Sequence, residues 1–222
     1  MEEFKRPLSM VEATMNGIRS AIIGGKLSLG QQLTESYLQK TFGLSKTPIR
    51  EALAQLKGEG IVVSEVHKGF KVFKMDEKEL SEFCEYRLAL ESQALKSAYT
   101  TNRLELVRGL KYFIKEFKKS LKENDFVKYN LTDTKFHKSF FILSSNRYLI
   151  KNYENINGII ETIRTHTGAI IVENYKLIDS INGHISIYKH LEEKNLKLAL
   201  DELDKHINSW HDDRMLKSLL MS

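Results

Sequence analysis

Leu33-Thr34-Glu35-Ser36-Tyr37-Leu38-Gln39-Lys40-Thr41-Phe42-Gly43-Leu44-Ser45-Lys46-Thr47-Pro48-Ile49-Arg50-Glu51-Ala52-Leu53-Ala54-Gln55-Leu56 is the stretch on which the fold turns. Thr34 caps a short helix to Lys40. Ser45 opens a longer one that carries Ile49, Ala52, Leu53 and Leu56 on one face and stops at Gly58 or Gly60. Pro48 is tolerated because it falls in the first turn, where its missing N–H has no helical partner to lose. Upstream, Ser9-Met10-Val11-Glu12 reads as a capping box opening a helix that ends at Gly24-Gly25, with Val11, Met15, Ile18 and Ile22 at helical spacing. Downstream, Ile61 to Lys74 is rich in β-branched and aromatic residues around a turn near His67-Lys68-Gly69, the pattern of a two-stranded hairpin. Three helices and a hairpin make a winged helix-turn-helix.

From Asp76 onward the pattern is helical throughout. Asp76-Glu77-Lys78-Glu79 is a capping box for a helix to about Tyr99, and Asn102-Arg103-Leu104-Glu105 opens the next, to about Leu121. Further helices start at Asp125 (to near Ser144), Asn146 (to about Glu173), Asp179 or Ser180, and Leu196 (to about Leu219). The expected fold class is therefore mainly α: an N-terminal winged helix-turn-helix over 1–75 and a C-terminal antiparallel bundle of about six helices over 76–222.

Composition limits the function classes. With 41% hydrophobic and 28% charged residues in 222, the chain has the balance of a soluble globule, not of a disordered or collagen-like protein. There is no run of about 18 apolar residues to span a membrane, and the opening MEEFKRPLSM has no apolar segment behind its charges, so no signal peptide is expected. A single cysteine, Cys84, makes no internal disulfide and fits a reducing cytoplasm. Charge is uneven: residues 1–75 hold 11 Lys and Arg against 7 Glu and no Asp, while the remainder is close to balanced. Histidine is distributed the other way, with only His67 in the first part and the other six at 137 or beyond. A basic module facing a polyanion and a His-rich module holding something else account for both trends.

In the helix from Ser45, the side opposite Ile49, Leu53 and Leu56 offers Lys46, Thr47 and Arg50, with Gln55 further along. Donors clustered at a helix N-terminus suit a phosphate or a major-groove base edge, and Arg50 suits either. The wing tip places Lys68 beside Gly69, which permits positive φ. A protein-docking surface is the other use of such a module. The ordered series Ile18–Gly25, Leu29-Gly30-Gln31-Gln32-Leu33, Phe42-Gly43-Leu44-Ser45-Lys46-Thr47-Pro48-Ile49-Arg50-Glu51-Ala52-Leu53, Leu56 and Glu59-Gly60-Ile61-Val62 resembles the GntR superfamily of bacterial winged-helix transcription regulators. The resemblance implies that Lys46, Thr47, Arg50, Lys68 and Gly69 contact double-stranded operator DNA. Relatives usually carry Arg where Lys46 stands, and some carry Arg where this chain has Ser36, so two rigid guanidinium forks are replaced here.

Asp133 and His137 are four residues apart on one helix. His184 and His206 each lie 11 residues from the expected turn at Asn195, roughly 16 Å along facing helices, so they sit at one height. Three imidazoles and a carboxylate converging in a bundle suit a divalent ion such as Zn²⁺, Ni²⁺ or Mn²⁺; ordinary half-buried histidines are the alternative. His190 and His211 are out of register with the pair. Tyr86-Arg87-Leu88-Ala89-Leu90-Glu91, Asp133-Thr134-Lys135-Phe136-His137, Asn146-Arg147-Tyr148-Leu149, His184 before Ile187, and Ala199 before His206-Ile207 resemble the C-terminal helical (FCD-type) domain of the FadR subfamily. Its six-helix count is like that of the VanR-type branch. The resemblance implies a metal site at Asp133, His137, His184 and His206, and a small carboxylate effector at the ion's vacant positions, with Arg87, Arg164 and His166 as candidate contacts. Phe136, Phe140 and Tyr148 are candidate pocket walls or core.

The implied mechanism is a cytoplasmic homodimer on a two-fold related operator, acting as a repressor whose affinity the effector changes. A purely structural metal is the nearest alternative. A metal-dependent hydrolase lacks a general base built into the pattern, so no enzymatic activity is expected.

Overall fold

The computed structural model describes residues 8–65, 68–171, 176–210 and 220. Two compact units emerge, the first of 1–74 with 155–166 and the second of 75–154 with 167–222.

In the first unit, α1 (Met10–Ile23) is held at its start by the reciprocal pair expected there: the Glu12 N–H donates to Ser9 Oγ and the Ser9 N–H to the Glu12 carboxylate, at 3.1 and 2.7 Å. Its inward face is Thr14, Ile18, Ala21 and Ile22, and the Thr14 hydroxyl donates to the Met10 carbonyl, so its burial leaves no donor unpaired. Val11 and Met15 are only half-buried. Helix α2 (Glu35–Phe42) is capped by Thr34 and ends at Gly43, whose φ of 68° lets the chain turn sharply into α3 (Lys46–Gly58). Helix α3 packs its Ile49, Ala52, Leu53 and Leu56 face against α1 and α2.

The sheet has one strand more than the expected hairpin. β2 (Val62–Glu65) and β3 (Gly69–Val72) pair antiparallel, and β1 (Gln32–Leu33) adds to the other edge of β3, giving the order β1-β3-β2. Two residues carry no periodicity, but the open edge of β3 needs partners, and the Val72 N–H finds the Gln31 carbonyl at 2.9 Å. Residues 155–166 fit against this module closely. A Cβ on Gly158 would stand 3.0 Å from Ile61, one on Gly60 would stand 3.1 Å from Ile159, and His166 Nε2 donates to the Ile22 carbonyl at 3.0 Å.

Among the described residues the second unit is a helical bundle, less the 155–166 stretch that belongs to the first. α4 (Glu77–Glu123) starts with the reciprocal Asp76/Glu79 cap and breaks at Asn102 (φ −137°, ψ 37°), where the sequence pattern opens a new helix, so it counts as two. The break is pinned because Asn102 Nδ2 and the Thr101 hydroxyl both donate to the Leu143 carbonyl, at 2.8 and 3.0 Å, at the end of α5 (Phe126–Leu143). α6 (Arg147–Ile171) follows Asn146, whose side chain accepts from Tyr148 and Leu149. α7 (Lys176–Glu192) starts three residues or more before the expected Asp179 or Ser180, and α8 (Leu196–Asn208) is capped by Asn195. The expected ends of α6 at Glu173 and of the last helix at Leu219, like His67 and His211, lie outside the described residues. Phe117, Phe136, Phe140 and Phe141 fill the centre with Leu95, Leu106 and Leu203. No helix among the described residues is long and apolar enough to cross a membrane.

Candidate metal centre and nucleic-acid interface

The inward stripe of α5 runs Tyr129, Asp133, Phe136, His137 and Phe140, so the helical repeat that builds the core also places a carboxylate and an imidazole one turn apart inside it. α7 contributes His184 between Ile181 and Ile187, all buried, and α8 contributes His206 beside Leu203 and Ile207. The turn at Asn195 brings the two helices together as the equal spacing requires, and the His184 and His206 rings meet at 4.3 Å between centroids. One ligand atom from each of Asp133, His137, His184 and His206 lies within 4.8 Å of all the others.

His184 Nε2 is 3.2 Å from Asp133 Oδ1 and 3.2 Å from His137 Nε2, which is itself 3.8 Å from Asp133 Oδ2. The far side of His137 fixes its tautomer, because Nδ1 lies 2.5 Å from Glu91 Oε2 and donates to it. The lone pair of His137 Nε2 is thereby directed at the other donors, the arrangement in which imidazoles bind metals. Glu91 is fully buried, which by itself raises a carboxyl; the Arg87 charge and then His137 outweigh burial and hold it at about 2. Burial pushes His137 down to about 4, and burial with the His184 and His137 charges pushes His206 well below the usual imidazole value. Imidazole nitrogens and a carboxylate oxygen converging within a few ångströms are the donor set a divalent ion takes, so the residues fit such an ion.

Space for His206 comes from a glycine. A Cβ on Gly183 would stand 3.0 Å from His206 Nδ1. Phe117 stacks on His184 at 4.5 Å and Phe136 meets it edge-on at 4.7 Å, closing the cluster with apolar rings. Tyr148, a candidate wall, is 65% exposed.

Arg87 is 1% exposed. Its Nε donates to Glu91 at 2.6 Å, Trp210 lies over its guanidinium at 4.6 Å, and one terminal amino group has no hydrogen-bond partner among the described residues. Arg87, Glu91 and His137 thus form a buried relay ending at the metal donors. Arg164 is buried and His166 half-buried, and both belong to the first unit, whereas the quartet belongs to the second. Glu91 and Gly183 were given no role by sequence reasoning; the four-residue spacing of Arg87 and Glu91 is the one available signal for the former.

On α3, Lys46, Thr47 and Arg50 are exposed while Pro48 and Ile49 beside them are buried. Arg50 is 66% exposed and its Nε donates to Glu35 at the start of α2. Lys68 is exposed at the wing, 3.8 Å from Glu65, and Gly69 has φ 81° with open space around it.

Over residues 11–72 the chain matches the gntR family of bacterial regulatory proteins, and over residues 82–209 it matches the FCD domain. It is 26% identical to the HTH-type transcriptional regulator YdhC of Bacillus subtilis over 99% of this chain and 97% of that one. It is 28% identical to the gluconate operon transcriptional repressor of Bacillus licheniformis over 86% of this chain and 79% of that one. The solved structure of Escherichia coli McbR/YncC superposes with a TM-score of 0.72 at 18% identity, covering 96% of this chain and 99% of that one, which shows a shared fold. The family matches are to transcription regulators and not to enzymes.

Proposed function

This chain belongs to the FCD-domain family of gntR-type bacterial regulators, and on that premise we propose that it is a homodimeric, sequence-specific repressor whose helical domain takes a divalent metal and a small carboxylate effector. Residues 1–75 are the DNA-binding domain and 76–222 the effector and dimerisation domain, of the FadR subfamily. Lys46, Thr47, Arg50, Lys68 and Gly69 face the operator, and a second copy doubles the contacts that one small winged domain makes. Repression follows the gluconate operon relatives, which are named as repressors.

Asp133, His137, His184 and His206 hold the ion, and Glu91 holds the His137 ring by its Nδ1–H. A divalent ion with vacant positions supplies an attraction for an anionic oxygen. The observation that carries the effector is Arg87, a fully buried cation with one amino group lacking a partner among the described residues, joined through Glu91 to the quartet. A carboxylate satisfies that donor with a charge-assisted hydrogen bond. Arg164 and His166 are weaker candidates, since His166 spends its Nε2 on the Ile22 carbonyl. Effector binding changes operator affinity by favouring one arrangement of the bundle over another.

A structural metal is the second reading, favoured by the full burial of His137 and His184. The test is selection of bound fragments from the source genome by metal-loaded protein at about 0.15 M salt, because nonspecific binding falls steeply with salt. Enrichment of a two-fold symmetric site, released by a small carboxylate, is expected. Salt-sensitive background alone refutes sequence-specific recognition, and a selected site that no carboxylate affects leaves the metal structural.

A further inference from the structure

We propose that Glu35 is a positioning residue for base readout, holding the Nε edge of Arg50 so that the terminal amino groups of the guanidinium stand outward as a fixed fork for a guanine. The inference deepens the reading of α3 as the operator-contacting helix and rests on it.

Arg50 is the only arginine between residues 33 and 58. The other cations of that stretch, Lys40, Lys46 and Lys57, are flexible point charges that can reach guanine without a fixed geometry, whereas a guanidinium presents a rigid planar pair of donors to its O6 and N7. In this segment, readout of that kind therefore falls to Arg50. An exposed arginine samples many rotamers, and binding must fix one of them. Here the fixing is built in, because Arg50 Nε donates to the Glu35 carboxylate, fifteen residues away in sequence. The contact uses the Nε edge of the guanidinium, and among the described residues no other hydrogen bond holds the Arg50 side chain.

The two partners differ in exposure as an anchor and a probe should. The Glu35 side chain is 28% exposed and that of Arg50 66%. Glu35 is the first residue of α2, directly after its cap: Thr34 Oγ accepts from the Tyr37 N–H at 3.2 Å and lies 3.3 Å from the Ser36 hydroxyl. The carboxylate thus hangs from a fixed backbone, and the first turn of a helix favours an acidic side chain. An exposed ion pair adds little to folding stability, so its effect belongs in recognition. A carboxylate at this edge also repels phosphates, which lowers affinity for DNA in general while the fork raises it for one base.

The experiment selects bound duplexes from a randomised library with full-length wild-type protein, E35Q and R50A, each metal-free and Zn²⁺-loaded, at about 0.15 M salt. The wild type is expected to select a two-fold symmetric motif, and R50A to lose preference at one guanine in each half. E35Q should keep the motif but lose about tenfold in discrimination at that same guanine, while binding an unrelated duplex several-fold more tightly. If E35Q leaves that guanine as sharply preferred as in the wild type, Glu35 does not position Arg50 and the proposal is overturned. If R50A loses no position, Arg50 reads no base; the proposal then fails while the regulator reading stands. If the wild type selects no motif, sequence-specific recognition fails and this inference with it.

Discussion

Replacing Gly183 by alanine should move stability and metal affinity in opposite directions. In the interior of α7 an alanine is more favourable than glycine by about 1 kcal/mol, because it has less backbone freedom to lose. Its Cβ, however, would lie 3.0 Å from His206 Nδ1 and 3.6 Å from Cγ of the same ring. Ordinary contacts begin near 3.5 Å, so the ring must retreat by about 0.5 Å. His206 is half-buried in the last turn of α8, which ends at Asn208, whereas His137 and His184 are fully buried, so its ring is expected to give way. A metal site tolerates much less, since ligand distances hold to about 0.2 Å. The metal-free variant should therefore melt about 2–4 °C higher than the wild type. Its metal affinity should fall about 10–100-fold, the size of loss seen when a ligand is poorly held. Circular-dichroism melts of chelator-treated protein and a competitive metal titration measure the two effects. Unchanged metal affinity in a variant that melts higher would refute the placement of His206 among the ligands; a large drop in the metal-free melting temperature would refute the claim that the ring can give way.

Four further outcomes test other parts of the argument. Glu91→Ala should destabilise the protein by about 3–5 kcal/mol, as it strands the buried Arg87 charge, and chemical denaturation reads this directly. His184→Ala should abolish stoichiometric metal by elemental analysis while helicity persists, and Arg50→Ala should weaken specific DNA binding with metal content unchanged; full metal occupancy in the first would contradict the quartet. For metal-free protein, the His137 imidazole takes up a proton near 6.5 when unfolded but only near 4 when folded. Its contribution is therefore present above pH 6.5 and is lost as pH falls to 4, by about 3 kcal/mol, and denaturation at stepped pH should show the decline in that window.

Much of this arrangement was legible where local chemistry decides it. Ser9 with Glu12, and Asp76 with Glu79, are caps whose geometry is complete within four residues, and Asn102 marks a break because its side chain serves the chain elsewhere. The meeting of His184 and His206 was legible because a short turn at Asn195 makes sequence distance a measure of height. What escaped depends on contacts between distant segments. Glu91 looks like any helical glutamate four residues from an arginine until the packing of α5 against α4 buries it beneath His137. β1 exists only because β3 has an edge to fill, and the role of Gly183 appears only once the ring of His206 lies against it.

The grouping of residues 155–166 with 1–74 bears on how the chain is made. A polypeptide leaving the ribosome presents its first 74 residues well before the twelve that complete their unit. At about 5–20 residues per second, the eighty residues between them take about 4–16 s to synthesise. For that interval the nascent winged module carries an uncovered face around Gly60 and Ile61, and it matures only when α6 emerges. Exchange of the DNA-reading module between relatives meets the same constraint, since a single crossover near residue 75 separates the module from a segment that it packs against.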